Sequence, residues 1–197
     1  MTTSGAQAGF AGFGSQEPTD RLFFAVFPDA PAAARIAALA ASECERHGLR
    51  GRPLRTERLH VTLFHLGDRV GVPEDVVAAA KRAATSLRES PFEIALDTVG
   101  SFAMRRAQKP FVLKAGAGNE ALRAFHARFA DALRKHGLGE WARGGFEPHV
   151  TLAYDGAVVP FEPAAQPIAW RVHGFVLVHS LLGRTRHVGL ANWSLAE

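Results

Sequence analysis

The chain has one cysteine, Cys44, among 197 residues. A lone thiol excludes an internal disulfide, so the fold must hold by its apolar core, and it fits a reducing cytoplasm. Cys44 lies in the helical-looking stretch "RIAALAASECERHG" with no motif around it, which marks a structural thiol rather than a nucleophile. No run approaches the roughly 18 apolar residues of a membrane span, so no membrane partner is expected. Lys and Arg are absent before Arg21. The N-terminus therefore lacks the basic start of a secretory signal. Its Gly, Ala, Ser and Gln content predicts a flexible tail over residues 1–20, with residues 21–197 as one folded unit. GxGxxG, GxxxxGKS and GxSxG are missing, as are His-x-His, His-Glu-x-x-His and Cys/His clusters. These absences argue against a dinucleotide fold, a phosphate loop, a serine hydrolase and a zinc centre.

What is present begins with a mild positive balance, 23 Lys and Arg against 19 Asp and Glu. Such a surface suits an anionic partner such as RNA. "RLFFAVFPD" is a short apolar run stopped by Pro28, the pattern of a buried strand. Asp29 and Pro31 then supply the start of a helix, and Gly48 its stop. Pro73 opens a second helix, and Asn119 stands where a cap would begin a third. In that third helix Leu122, Phe125, Phe129 and Leu133 share one face. "FEIALDTVGSF" and "PFVLKAG" read as strands joined by the basic loop "AMRRAQK"; "IAWRVHGFVLVHSLLG" and "RTRHVGLANWSL" read as a closing hairpin. The order β-α-β-α-β-β-α-β-β-β mixes hairpins with crossovers and predicts an α+β fold of largely antiparallel sheet. Each half carries a helix, a turn-rich loop and a strand beginning His-Val-Thr-Leu. The expected architecture is bilobal, with two pseudo-twofold-related lobes, helices packed outside and a cleft between.

The step "HVTL" occurs at His60–Leu63 and again at His149–Leu152. Residues i and i+2 of a strand share a face, so His60 and Thr62 point one way, as do His149 and Thr151. The partners Val61, Leu63, Val150 and Leu152 point into a core. A phosphate fits such a pair, imidazole on one oxygen and hydroxyl on another. Two pairs across a cleft give one imidazole as base and one as acid, and two hydroxyls for the phosphoryl oxygens. That set can break or form a phosphodiester without a metal. One His-x-Thr step is ordinary in a strand; the repeat carries the argument.

With these residues the chain resembles the two-histidine phosphoesterases. Within them, "RLFFAVFPD", "LHVTLFHLG" and "FEPHVTLAY" resemble the bacterial RNA 2′,3′-cyclic phosphodiesterase, or 2′-5′ RNA ligase-like, branch. The resemblance implies hydrolysis of RNA 2′,3′-cyclic phosphate ends to 2′-phosphates, with reversible 2′-5′ ligation of tRNA halves as a further activity. It implies His60 and His149 as catalytic, Thr62 and Thr151 as phosphate-binding, and no metal or nucleotide cofactor. For hydrolysis His149 is assigned as base and His60 as acid. A monomeric cytoplasmic protein is expected. The branch commonly has Arg five residues after the second His; Tyr154 stands there, and Arg143 in the preceding loop is the candidate to replace that charge as an RNA or phosphate contact. Two rival readings keep part of the pattern: a 2′-5′ oligonucleotide or small cyclic-nucleotide phosphodiesterase, and a non-catalytic RNA-binding module.

Strict alternation puts His65, five residues after His60, on the opposite strand face as a structural residue. His47, His126 and His136 are expected on the surface, and His173, His179 and His187 are scattered through the terminal strands without a motif. Arg50, Arg52, Arg55, Arg58, Arg105, Arg106, Lys109, Arg184 and Arg186 are solvated by default, with RNA phosphate as the alternative. Phe102, Trp141 and Phe146 are candidates to stack a base.

Overall fold

A computed structural model describes residues 17–116 and 118–196. Residues 1–16 of the expected tail lie outside the described residues. The first strand starts one residue before the expected boundary: β1 is Asp20–Val26, and Asp20 bonds the backbone of Gly71 and the ring of His179. Asp29 caps the next element as expected. Its carboxylate accepts from the Ala32 amide at 2.8 Å and opens α1, Ala30–Arg46. There follow β2 (Val61–Arg69), α2 (Glu74–Thr85), β3 (Phe92–Ser101), β4 (Lys109–Lys114) and α3 (Glu120–Lys135). The chain ends in β5 (His149–Asp155), β6 (Glu162–Val172), β7 (Gly174–Leu181) and β8 (Arg186–Ser194).

Two expectations change. The stretch "IAWRVHGFVLVHSLLG" is not one strand. It breaks at His173, and β6 and β7 lie in different halves of the sheet. Gly174 sits at the crossing because a Cβ would lie 2.5 Å from the Trp193 carbonyl oxygen. Only His173 and Gly174 interrupt the apolar run, between the buried Val172 and Phe175, and so short an interruption does not mark a strand end. Asn119 occupies the N-cap position of α3 but makes no side-chain cap. Its amide instead grips the backbone of Ala95 in β3, accepting at 2.7 Å and donating at 2.9 Å.

All pairs are antiparallel, in the order β6-β3-β4-β5-β2-β1-β7-β8. The sheet divides into two four-stranded halves, β6-β3-β4-β5 and β2-β1-β7-β8. The halves join through the motif strands β2 and β5, at the pair Val61↔Val150. That is the predicted pseudo-twofold, with β2 matching β5. Pro163 and Pro167 are tolerated in β6 because it is an edge strand. The helices tie the halves together. α1, which links two strands of the first half, packs on β5 and β6 of the second. α3 links two strands of the second half and reaches into the first, where Phe129 meets Phe24 and Phe175. One continuous core therefore spans both halves, with Phe24, Ile36, Phe111, Leu122 and Phe129 all fully buried.

The motif strands each carry a β-bulge. In β2, Phe24 pairs with Phe64 and Ala25 with Thr62, leaving Leu63 without a partner. In β5, Phe111 pairs with Ala153 and Val112 with Thr151, leaving Leu152 without one. Two consecutive residues then face the core, Leu63–Phe64 and Leu152–Ala153. The extra residue shifts the alternation by one. The bulged carbonyls are satisfied from outside the sheet: Leu63 accepts from the His126 ring at 3.1 Å and Leu152 from the Leu54 amide at 2.7 Å.

Candidate active site

The bulges decide what the cleft contains. By simple alternation His65 would face away from His60. The bulge at Leu63 turns it back, and His65 lines the same cavity as His60 and Thr62. Tyr154 holds the matching place after His149, with its own bulge before it, and lines the cavity too. The cavity, about 270 Å³, brings together His60, Thr62, His149 and Thr151 from the two halves. Arg21, Arg58, Ser180, Thr185 and His187 add to its polar lining.

Both motif histidines are anchored in the same way. The Nδ1–H of His60 donates to the carbonyl of Arg58 at 2.7 Å, and that of His149 to the carbonyl of Glu147 at 2.8 Å. Each imidazole is thereby fixed as the Nδ1–H tautomer, which leaves Nε2 as its free ring nitrogen. Phenylalanines hold the rings. His60 stacks on Phe23 with centroids 4.9 Å apart, and Phe102 meets His149 edge-on at 4.9 Å. The hydroxyls of Thr62 and Thr151 make no hydrogen bond among the described residues.

Burial pushes the His60 imidazole down from 6.5 to about 4; the neighbouring His187, His149 and Arg58 charges add to this, while the Arg58 carbonyl opposes it. Burial also lowers His149 and His187. In the free protein the cleft therefore favours neutral rings, and an anion seated between them would favour their protonation.

The cations differ in availability. Arg21 is held by Asp68 through two bonds of 2.7 and 2.6 Å, and His65 joins the same carboxylate at 2.8 Å. Arg21 holds Asp68 down at about 2. Arg58 has no ion-pair partner among the described residues, and its buried Nε is unpartnered. The loop that delivers Arg58 is pinned to β5: the Asp155 carboxylate accepts from the amides of Arg50 and Gly51 at 2.6 and 2.7 Å. Arg50, Arg52 and Arg55 of that loop do not line the cavity.

Arg143 does not line the cavity either. It sits on a separate groove with Trp141, Phe146 and His126 that shares His65 with the cleft. The arginines that do line the cleft are Arg58 and Arg21. His126, expected on the surface, is sandwiched between Phe64 at 4.1 Å and Phe146 at 3.8 Å; Phe146 thus stacks a histidine within the protein. His187 was not singled out by sequence. Its ring stands 5.5 Å from that of His60, edge to face, and only the β7–β8 pairing of His187 with Ser180 brings it there. Away from the cleft, Glu43, His47 and Glu162 cluster closely enough to hold a metal ion, but the Arg46 guanidinium bonds both carboxylates. That positive charge occupies the place a cation would need.

Two His–Thr pairs facing one cavity across a pseudo-twofold define a two-histidine phosphoesterase. Comparison with known families agrees: residues 27–184 match the 2′-5′ RNA ligase superfamily, and the chain belongs to it. A Thermus thermophilus protein named RNA 2′,3′-cyclic phosphodiesterase is 34% identical over 178 residues, the match covering 82% of each chain. An Escherichia coli protein of the same name is 30% identical over 192 residues, covering 90% of this chain and 97% of that one. The apo crystal structure of E. coli LigT superposes with a TM-score of 0.70 at 25% identity, over 92% of this chain and all of that one.

Proposed function

We propose that the protein hydrolyses RNA 2′,3′-cyclic phosphate ends to 2′-phosphates, with its own side chains supplying acid and base. The observation that carries this is the convergence of two free hydroxyls and two imidazoles, each fixed as the Nδ1–H tautomer, on one cavity. The names of the curated relatives support the substrate class. The cyclic phosphate sits between the histidines, its non-bridging oxygens receiving hydrogen bonds from Thr62 and Thr151. Arg58, which has no ion-pair partner among the described residues, offsets its charge. Nε2 of neutral His149 takes a proton from water as the water oxygen attacks phosphorus. The P–O3′ bond breaks, and protonated His60 gives its proton to O3′, leaving a 2′-phosphate and a 3′-hydroxyl. His60 is nearly neutral in the empty cleft at pH 7, so its protonation is coupled to arrival of the anion. With a 5′-hydroxyl in place of water, the same contacts run 2′-5′ ligation. The reading includes a monomer working in a reducing cytoplasm.

The test is incubation with 2′,3′-cyclic AMP and with a cyclic-phosphate RNA end in the presence of EDTA, followed by identification of the product isomer. A 2′-phosphate is expected. His60→Ala and His149→Ala should each lower kcat by at least about 100-fold, the scale of a lost acid or base, without loss of fold by circular dichroism. Near-full turnover by either variant, or no product from either substrate, would overturn the proposal.

A further inference from the structure

A 2′,3′-cyclic phosphate stands at the 3′ end of its strand, so the rest of the RNA must leave the cleft through the 5′ oxygen of the terminal ribose and run over one rim. The rim beside His149 is unusual. Among the described residues five large apolar side chains are exposed, and four of them (Met104, Tyr154, Val158 and Phe161) lie on or beside the loops 102–108 and 156–161. These loops are joined to each other. The Ser101 amide donates to the Val159 carbonyl at 2.8 Å, and Lys109 Nζ to the Gly156 carbonyl at 2.8 Å.

The surface is continuous with the cleft. The Phe102 ring meets His149 on one side and Phe161 at 5.6 Å on the other. Phe161 is seated rather than loose: a Cβ at Gly100 would come within 2.4 Å of its Cδ1, so the glycine makes room for the ring. Lys114 Nζ lies 4.0 Å from the ring centroid of Phe161. Arg105 and Arg106, at the tip of the 102–108 loop, are exposed and make no hydrogen bond or ion pair among the described residues. Exposed rings with unpaired guanidinium groups match a single-stranded nucleic acid, which offers flat bases and a phosphate at each step. The opposite rim, at the β7–β8 turn, has Arg184 and Arg186 but no exposed aromatic side chain.

We propose that the Phe161–Arg105–Arg106 surface is a binding track for the single-stranded RNA that precedes the cyclic end. The proposal rests on the cleft being the cyclic-phosphate site. It gives the protein a preference for oligonucleotides over cyclic mononucleotides, which reach only the cleft.

The test compares kcat and KM for 2′,3′-cyclic AMP and for a six-nucleotide RNA ending in a cyclic phosphate. The wild type should show a KM for the oligonucleotide lower by roughly tenfold or more, the scale of one stacked base. The double variant Arg105→Ala/Arg106→Ala, confined to an exposed loop, should lose most of that advantage and keep its cyclic AMP kinetics within about twofold. Phe161→Ala should act in the same direction, and Arg184→Ala/Arg186→Ala should leave the advantage intact. The track is wrong if the two substrates have equal KM, if the loop variant keeps the oligonucleotide advantage, or if the advantage is lost with Arg184 and Arg186. Fluorescence anisotropy of a 5′-labelled RNA separates this failure from failure of the cleft assignment. RNA binding weakened by the loop variant, without turnover of either substrate, would uphold the track and overturn the chemistry.

Discussion

His60 places an ionisable ring in a partly buried position on the cleft wall, and the cost appears in stability. With burial as the main cause, its imidazole is held at about 4 against an ordinary value of 6.5. Between those values the unfolded chain binds a proton that the folded chain refuses. Folding stability contributed by the neutral ring is thus complete above pH 6.5 and is lost as pH falls towards 4. The loss from this one ring is about 3 kcal/mol. Chemical denaturation at pH 7 and pH 4.5 should show it, and His60→Asn should show a smaller fall across the same interval. An equal fall in the variant would place the pH dependence elsewhere. The same ring illustrates what residue-level reasoning recovers. His60, Thr62, His149 and Thr151 were legible because the chain writes the same four letters twice, each at the start of a strand. His187 and Arg21 were not, since their approach depends on which distant strands lie side by side.

At the scale of elements, the motif strands work because they are irregular. "VTLFHL" contains no glycine, and nothing in its composition marks a bulge. The bulge needs an outside donor for the freed Leu63 carbonyl, and α3 supplies it through His126, itself stacked between two phenylalanines. His126→Phe keeps ring stacking but leaves that carbonyl unsatisfied, at a cost of about 1–3 kcal/mol. His126→Gln retains a donor and should lose less. Thermal unfolding, with amide exchange at Leu63–His65, should rank the variants wild type, Gln, Phe. Equal stability for Gln and Phe would mean that the hydrogen bond contributes nothing. Strand and helix order, by contrast, followed from apolar runs and from Asp29, Gly48 and Pro73. The β6–β7 break was not legible because only His173 and Gly174 separate the buried Val172 from the buried Phe175, too short an interruption to end an apolar run.

For the whole molecule, the helices that reach across the halves matter more than the single bridge between the motif strands. α1 belongs to one half by connection and to the other by contact, while α3 packs on β3 of its own half and reaches Phe24 and Phe175 of the other through Phe129, so neither half owns a complete core. The two halves should therefore unfold together. Trp170 lies in β6 of one half and Trp193 in β8 of the other. Variants retaining only one of these tryptophans should give coincident urea transitions followed by fluorescence. Midpoints that differ beyond experimental error would mean that the halves are separate cooperative units.

The strand order also sets a timetable for synthesis. β1 lies between β2 and β7, with Asp20 opposite both Arg69 and Leu181. As the chain leaves the ribosome β1 can pair with β2 early, but its other edge stays open until residues 174–181 emerge. Ser180 and His187, which wall the cleft beside His60, arrive with the β7–β8 hairpin. The nascent chain thus carries both motif histidines well before it has a site to hold them, and the cleft closes only once residues 174–194 have emerged.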